Sequence, residues 1–363
     1  MPAEKGPPGR PKTGYQAPLW EDVAMLNERD RLILSQVLDM YIETATPVGS
    51  QALARGRTIG LSAASIRGIM MDLEERGYLD QPHTSAGRVP TDKAYRAWVD
   101  EWLTPNVLNE PEIEWMETAL HDTPAELSSL LEQAARLLGG ACHQVGMAMA
   151  PSIGSSVLTG IEFVRVDDTR VLMLLRLREG AVRTVMLDVS SRLESDALAA
   201  TAARLNEYLA GLTLNEISAT LAERARSWSF RDEEIVTRLI ALGPGLVNLG
   251  EPSALYVRGT GELAAQPEFQ SPERLRDLLH LMEERPGLSA ILSDRRARPG
   301  IEITIGRENP TGPLTATSIV TFTWSHGATA GTVGVIGPTR MHYPRVLALL
   351  SGMARQIDRR LTA

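Results

Sequence analysis

The sequence predicts an α+β chain of several domains with a winged helix-turn-helix at its N-terminus. Three observations carry that expectation. At 363 residues the chain exceeds one ordinary domain. Roughly its first hundred residues read as three helices, a hairpin and a fourth helix. The rest passes from helical to strand-rich, then to helical and strand-rich again, which suits one α+β domain interrupted by a helical insertion, or three domains in succession. A hydrophobic share of 43% and a charged share of 23% are globular averages, enough to bury a sizeable core.

Residues 1–22 are rich in Pro, Gly and Lys without an apolar period, so a disordered tail is expected there. It is either simply solvated or a basic arm that touches phosphates. Residues 23–104 carry the winged helix. Asn27 opens a first helix, with Asp30 as the acidic partner of a capping box, and Ile33/Leu34, Val37/Leu38 and Tyr41/Ile42 form one apolar stripe. Thr46-Pro47-Val48-Gly49 stops it. Ser50 caps a short second helix to about Arg55, and Ser62 a third whose core face is Ile66, Ile69, Met70 and Leu73. Gly77 sits where a helix end favours a left-handed residue. Tyr78 to Pro82 is extended, His83 to Gly87 turns, and Arg88-Val89-Pro90 returns. Thr91 then caps a helix with Tyr95, Trp98, Val99, Trp102 and Leu103 on one face.

Pro105 and Pro111 flank a linker. Helix is expected from Glu112 to about Met149, with a break near Gly139-Gly140. Ser156–Val166, Arg170–Arg178 and Ala181–Val189 then read as an antiparallel meander, followed by a helix from Leu193 to Ala210. Residues 105–211 form the first part of the interrupted domain, 212–287 a mainly helical insertion, and 288–363 the second part. In that second part strands are expected at Ser289–Leu292, Gly300–Gly306, Ala316–Trp324 and Thr332–Ile336, with a final helix from Tyr343 to Leu361.

Composition excludes several function classes. A net charge of −8 argues against a chain that coats nucleic acid or anionic membrane over its whole surface. A single cysteine, Cys142, permits neither an intramolecular disulfide nor a cysteine-based zinc site, and fits a reducing cytoplasm. The apolar runs are too short to cross a membrane, and the N-terminus lacks the apolar core of a secretory signal. There is no phosphate-loop motif, and the six histidines form no metal-binding pair, so no catalytic residue, metal or cofactor is expected.

Regional charge points the other way. Residues 44–71 contain Arg55, Arg57 and Arg67 and no acidic residue, about +3 inside an acidic protein. His83 and Arg88 add to this at the hairpin, and Lys93 and Arg96 follow. On the third helix the face opposite the core is Ala64, Arg67, Gly68 and Met71. Small side chains let a helix sink into the major groove, where Arg67 reads guanine or holds a phosphate, and Ala63 or Ala64 meets a thymine methyl. Ser50, Ser62, Ser65, Thr84 and Ser85 complete the expected contact set for double-stranded DNA.

The residues Leu61 to Arg67, Leu73 to Leu79, and the run Pro82-His83-Thr84-Ser85-Ala86-Gly87-Arg88-Val89-Pro90-Thr91 resemble the HrcA family of heat-inducible transcription repressors. So do Val48-Gly49-Ser50, Gln266 to Phe269, Ile305 to Asn309 and Gly334 to Met341. The resemblance implies a winged helix, a GAF-like domain and an inserted dimerising domain. It further implies homodimeric repression of chaperone operons through an inverted-repeat operator called CIRCE, with a GroE-type chaperonin as modulator. Two positions depart from the family: Gly68 stands where it usually has Asn, and Ala94 where it usually has Gly. A metabolite-sensing regulator with a small molecule in the GAF-like domain is the alternative reading.

Overall fold

The computed structural model describes residues 26–56, 60–83, 86–124, 126–150, 154, 156–178, 182–190, 193–225, 237, 255–283, 285–296, 300–309, 312–326 and 329–362. The expected tail lies outside them. The chain divides into two compact units, one of residues 1–148, 256–324 and 332–363, the other of residues 149–255 and 325–331.

The first unit opens with α1 (Glu28–Thr44), capped as expected by Asn27, whose side chain accepts the Asp30 N–H at 2.9 Å. Asp30 does not reach back as a capping partner. Its carboxylate takes Arg76 at 2.8 Å instead. Next come α2 (Ser50–Arg55) and α3 (Ala63–Glu75), then the antiparallel pair β1 (Leu79–Asp80) and β2 (Val89–Pro90), and α4 (Asp92–Glu101). Gly77 is left-handed at φ 74°, and Thr91 caps α4 by accepting the Ala94 N–H. Ile33, Leu34, Val37 and Leu38 of α1 are buried with Ile66 and Leu73 of α3 and Tyr95 of α4, and Trp102 donates to the Ser35 hydroxyl of α1 at 2.8 Å.

After a connecting segment the chain forms α5 (Glu110–His121), α6 (Leu127–Cys142) and β3 (Val145–Met149). Two expectations fail here. The helix runs through Gly139-Gly140 to Cys142, and Val145–Met149 is a strand. It is buried at every residue, so it shows no alternation that would mark it as one.

The second unit holds β4 (Leu158–Arg165), β5 (Arg170–Leu177) and β6 (Val182–Asp188), an antiparallel meander in a sheet of its own, with α7 (Ser195–Leu209) and α8 (Leu214–Ala225) on its inner face. Asn206 of α7 accepts the Ile161 N–H at 2.6 Å and donates to its carbonyl at 3.0 Å, fixing helix to strand. Thr169 N–H and Arg170 hold the Asp167 carboxyl down to about 2 at the β4–β5 turn. The meander therefore shares no sheet with the later strands, contrary to the expected grouping of 105–211 with 288–363.

The chain returns to the first unit as β7 (Leu255–Arg258), α9 (Thr260–Ala264), a 3-10 turn at Pro267–Phe269, α10 (Pro272–Glu283) and α11 (Arg285–Arg296). Then follow β8 (Gly300–Ile305), 3-10 turns at Gly306–Glu308 and Gly312–Ala316, β9 (Thr317–His326), β10 (Thr329–Pro338) and α12 (Tyr343–Thr362). The strand expected at Ser289–Leu292 is part of α11. A short apolar run of this kind fits a buried helix as well as a strand. The sheet order is β7-β3-β10-β9-β8, with α12 against α5 and α6. Among the described residues no helix is long and apolar enough to cross a membrane.

Candidate nucleic-acid interface

The geometry starts from the cap of α3. Ser62 accepts the Ser65 N–H at 3.1 Å, and the two hydroxyls lie 3.0 Å apart, so both are engaged in starting the helix. Ile66, Met70 and Leu73 are buried; Ile69 is half-buried. The opposite face carries Ala64, Arg67, Gly68 and Met71, all exposed, with Met71 at 48%. Among the described residues Arg67 makes no ion pair. A Cβ at Gly68 would meet nothing within 4 Å, so the face is open at this point. The far end of α3 is fixed. Lys93 donates to the Arg76 carbonyl at 2.9 Å and Thr91 to the Gly77 carbonyl at 2.7 Å.

The hairpin lies beside this helix because it is sewn to the loop before α2. Val48 N–H donates to the Arg88 carbonyl at 2.9 Å, and Arg88 N–H to the Val48 carbonyl at 2.8 Å. The approach demands glycine at Gly87, where a Cβ would strike the backbone of Pro47 and Val48. Gln81 closes the hairpin by donating to the Ala86 carbonyl at 3.0 Å. A cleft of about 230 Å³ opens between the start of α2, α3 and the hairpin, with Ser50, Gln51, Arg67 and Arg88 among its walls. Gln51, exposed at this mouth, was not singled out by sequence; its only signal was its place beside Ser50.

The other expected contact residues divide. Arg55 and His83 are exposed and Ser50 is half-buried at the start of α2. Arg57, Thr84 and Ser85 lie outside the described residues. Arg88 is mostly covered and pairs with Glu74 of α3 at 2.8 Å. Arg96 does not belong to this surface. It is buried at 2% exposure, and its guanidinium grips Glu308 with Nε at 2.8 Å and Nη2 at 2.5 Å. The helical period turns Arg96 towards the C-terminal part of the unit, which regional charge could not reveal. Lys93 sits 4.6 Å from the Tyr78 ring centroid. Among the described residues no group of three or more His, Cys, Asp or Glu could hold a metal.

Cys142 has no part in this surface. It is half-buried, and burial pushes its thiol up to about 12, which keeps it protonated and unreactive at neutral pH.

A family model described as the HrcA protein C terminal domain matches residues 128–347. The chain is 34% identical over 337 residues to a heat-inducible transcription repressor HrcA of Geobacter sulfurreducens, covering 93% of this chain and 98% of that one. It is 33% identical over 349 residues to the protein of the same name from Chlorobium phaeobacteroides, covering 93% and 99%. A crystal structure described only as a hypothetical protein shares the fold at a TM-score of 0.55 and 23% identity, over 93% of this chain and 98% of the other. These relatives are transcription repressors and not enzymes, and with such identity over nearly their full lengths the chain belongs to the HrcA family of heat-inducible transcription repressors.

Proposed function

We propose that the protein represses heat-shock chaperone operons in the cytoplasm by binding, as a homodimer, an inverted-repeat operator of the CIRCE type. The observation that carries this reading is the exposed small-residue face of α3, with Arg67 at its centre and among the described residues no carboxylate paired to it, beside a hairpin sewn to the same framework. On this reading residues 26–104 are a winged helix, α3 enters the major groove, and Arg67 meets a guanine edge. Ser50, Arg55, His83 and the neighbouring Arg57, Thr84 and Ser85 hold phosphates. Ser62 and Ser65 contribute through the helix start that they cap. Ala64, Gly68 and Met71 supply close apolar approach. Arg88, engaged by Glu74, positions the wing.

Residues 105–148 and 256–363 then make up the GAF-like domain, and 149–255 the inserted dimerising unit. The dimer is supported by the outer face of the meander. Val164, Leu172 and Met186 lie in line across its three strands, with Val164 at 50% and Met186 at 46% exposure. One winged helix covers too few base pairs for high specificity, and two-fold pairing supplies the second half-site. A GroE-type chaperonin, in this reading, sets the active fraction by assisting folding.

Footprinting with purified protein on a CIRCE-type repeat tests the function. Two protected half-sites and a dimer in sedimentation are expected; a monomer protecting one half-site refutes it. Operator titration of freshly refolded protein, with and without chaperonin and ATP, tests the modulator. An active fraction already complete without chaperonin refutes that part.

A further inference from the structure

The stretches of the C-terminal part that resemble the family, Gln266–Phe269, Ile305–Asn309 and Gly334–Met341, converge on α1 and α4 of the N-terminal domain. Arg96 of α4 forks onto Glu308 and also donates from Nη2 to the Ile303 carbonyl at 2.8 Å, while Glu308 accepts the Ile305 N–H at 2.9 Å. Both side chains of this pair are nearly inaccessible, at 2% and 3% exposure. Asp92, at the start of α4, accepts the Arg307 N–H at 3.1 Å, and Gly306, at φ 53°, lies so close that a Cβ would enter the Asp92 carboxylate. At the far end of α1, Arg340 donates to the Ile42 carbonyl at 3.2 Å while Glu268 holds its Nε at 2.5 Å and Gln266 its Nη2 at 2.8 Å. Between the two clamps the Tyr343 ring meets Trp98 edge-on at 5.9 Å. The connecting segment is tied as well, Asn106 N–H donating to the Pro344 carbonyl at 3.0 Å.

A covalent linker alone would let the N-terminal domain swivel. One bidentate clamp, Arg96 of α4 on Glu308, and one arginine, Arg340, held by Glu268 and Gln266 so that its third nitrogen reaches the Ile42 carbonyl of α1, remove that freedom with the aromatic contact between them, because a planar guanidinium fork fixes direction as well as distance. We propose that this seat makes Arg96–Glu308 and Arg340–Glu268 the positioning pairs that set half-site spacing. They hold α3 at a fixed angle to the C-terminal part of its own unit, which removes the swivel of the linker from the separation of the two reading helices in a dimer. The proposal rests on the inverted-repeat reading given above. Bivalent binding gains affinity only when both modules can engage together, so a rigid seat converts spacing errors into lost affinity, whereas a loose one tolerates them.

The test uses full-length protein, its Glu308→Gln and Glu268→Gln variants, a single half-site duplex, and inverted repeats whose spacer is optimal or lengthened by about five base pairs, half a helical turn. Wild type is expected to bind the optimal spacer at least about tenfold more tightly than the lengthened one. In each variant that ratio should fall below about threefold, with half-site affinity within about twofold of wild type. Loss of a merely structural contact would lower both duplex affinities together. Glu268, partly exposed, decides the matter if Glu308→Gln does not fold. A folded variant that keeps the wild-type ratio overturns the proposal, as does wild type that prefers its half-site sequence yet ignores spacing. If wild type cannot tell its half-site from random DNA, the operator reading itself fails and takes the proposal with it.

Discussion

Replacing Gly87 with alanine should detach the wing. The added Cβ would fall inside the contact distance of the Val48 carbonyl group and lie 2.8 Å from the Pro47 carbonyl carbon, where ordinary contact begins at 3.4 Å. All these atoms are backbone, so no rotamer change relieves the overlap. Relief requires the hairpin to move away from residues 47–48, and that breaks the reciprocal Val48–Arg88 pair. Overpacking costs about 1–3 kcal/mol, and two lost hydrogen bonds about 1 kcal/mol each. The wing therefore loses about 3–5 kcal/mol of its attachment, and since about 1.4 kcal/mol is tenfold in an equilibrium constant, the attached state becomes the minor one if it was only modestly favoured before. Fluorescence anisotropy with a labelled operator duplex should show at least about a tenfold loss of affinity. Hydrogen exchange should show the Val48 and Arg88 amides unprotected, with α12 unchanged. Gly68→Asn is the control for hydrogen exchange alone, because its Cβ enters open space and a helix interior prefers Asn to Gly by a few tenths of a kcal/mol, about 0.3. Affinity within twofold of wild type and protected Val48 and Arg88 amides in Gly87→Ala would refute the reasoning.

Arg67→Ala should cost about 1–3 kcal/mol on the operator and relax preference at one base pair, without altering the melting temperature; competition against single-base operator variants checks it, and equal loss on random DNA sinks the base-edge role. Arg88→Ala should lower stability by about 1 kcal/mol, the worth of its half-covered pair with Glu74. Its binding should keep the wild-type salt slope, and a slope flatter by about one unit would instead make Arg88 a phosphate contact. Asn309→Ala should cost about 2–4 kcal/mol in urea unfolding, since its buried amide donates to the Gly306, Leu314 and Thr317 carbonyls, at 2.8 Å for the last. Cys142, with its thiol pushed up to about 12, should react with an alkylating reagent at pH 8 at least about a hundredfold more slowly in native protein than in denaturant.

The caps at Asn27, Ser62 and Thr91 and the left-handed Gly77 were legible because each is decided within four residues of sequence. The exposed face of α3 was legible because a periodic core leaves its complement open. Val145–Met149 was not, because a strand buried on both faces carries no alternation. Arg96 was misplaced because its partner, Glu308, lies 212 residues away. Local charge counted it as available, while the tertiary fold had already neutralised it. Arg88 shows the same limit over a shorter span: its pairing with Glu74 depends on where the hairpin folds back, not on the residues beside it.

That distinction between local and distant partners bears on how the repressor becomes active. α1 to α4 and the hairpin are joined by contacts within about 75 residues of sequence, so they can form early. Their seat cannot. It needs Glu268, Glu308, Arg340 and Tyr343, and those residues are placed by the sheet in which β3 (Val145–Met149) lies beside β10 (Thr329–Pro338), with the whole of 150–328 between them. Closing so long a separation costs chain entropy before any contact repays it, and partly folded chains meanwhile expose apolar strands. On the function proposed above, the face of α3 can thus be complete before the orientation that makes it useful to a dimer. A factor acting on the late step alone could change the active fraction tenfold with a shift of about 1.4 kcal/mol and leave every DNA-facing residue untouched. Control through folding then requires no ligand pocket and no titrating switch; it requires only that the last part of the fold be the part that aims the first.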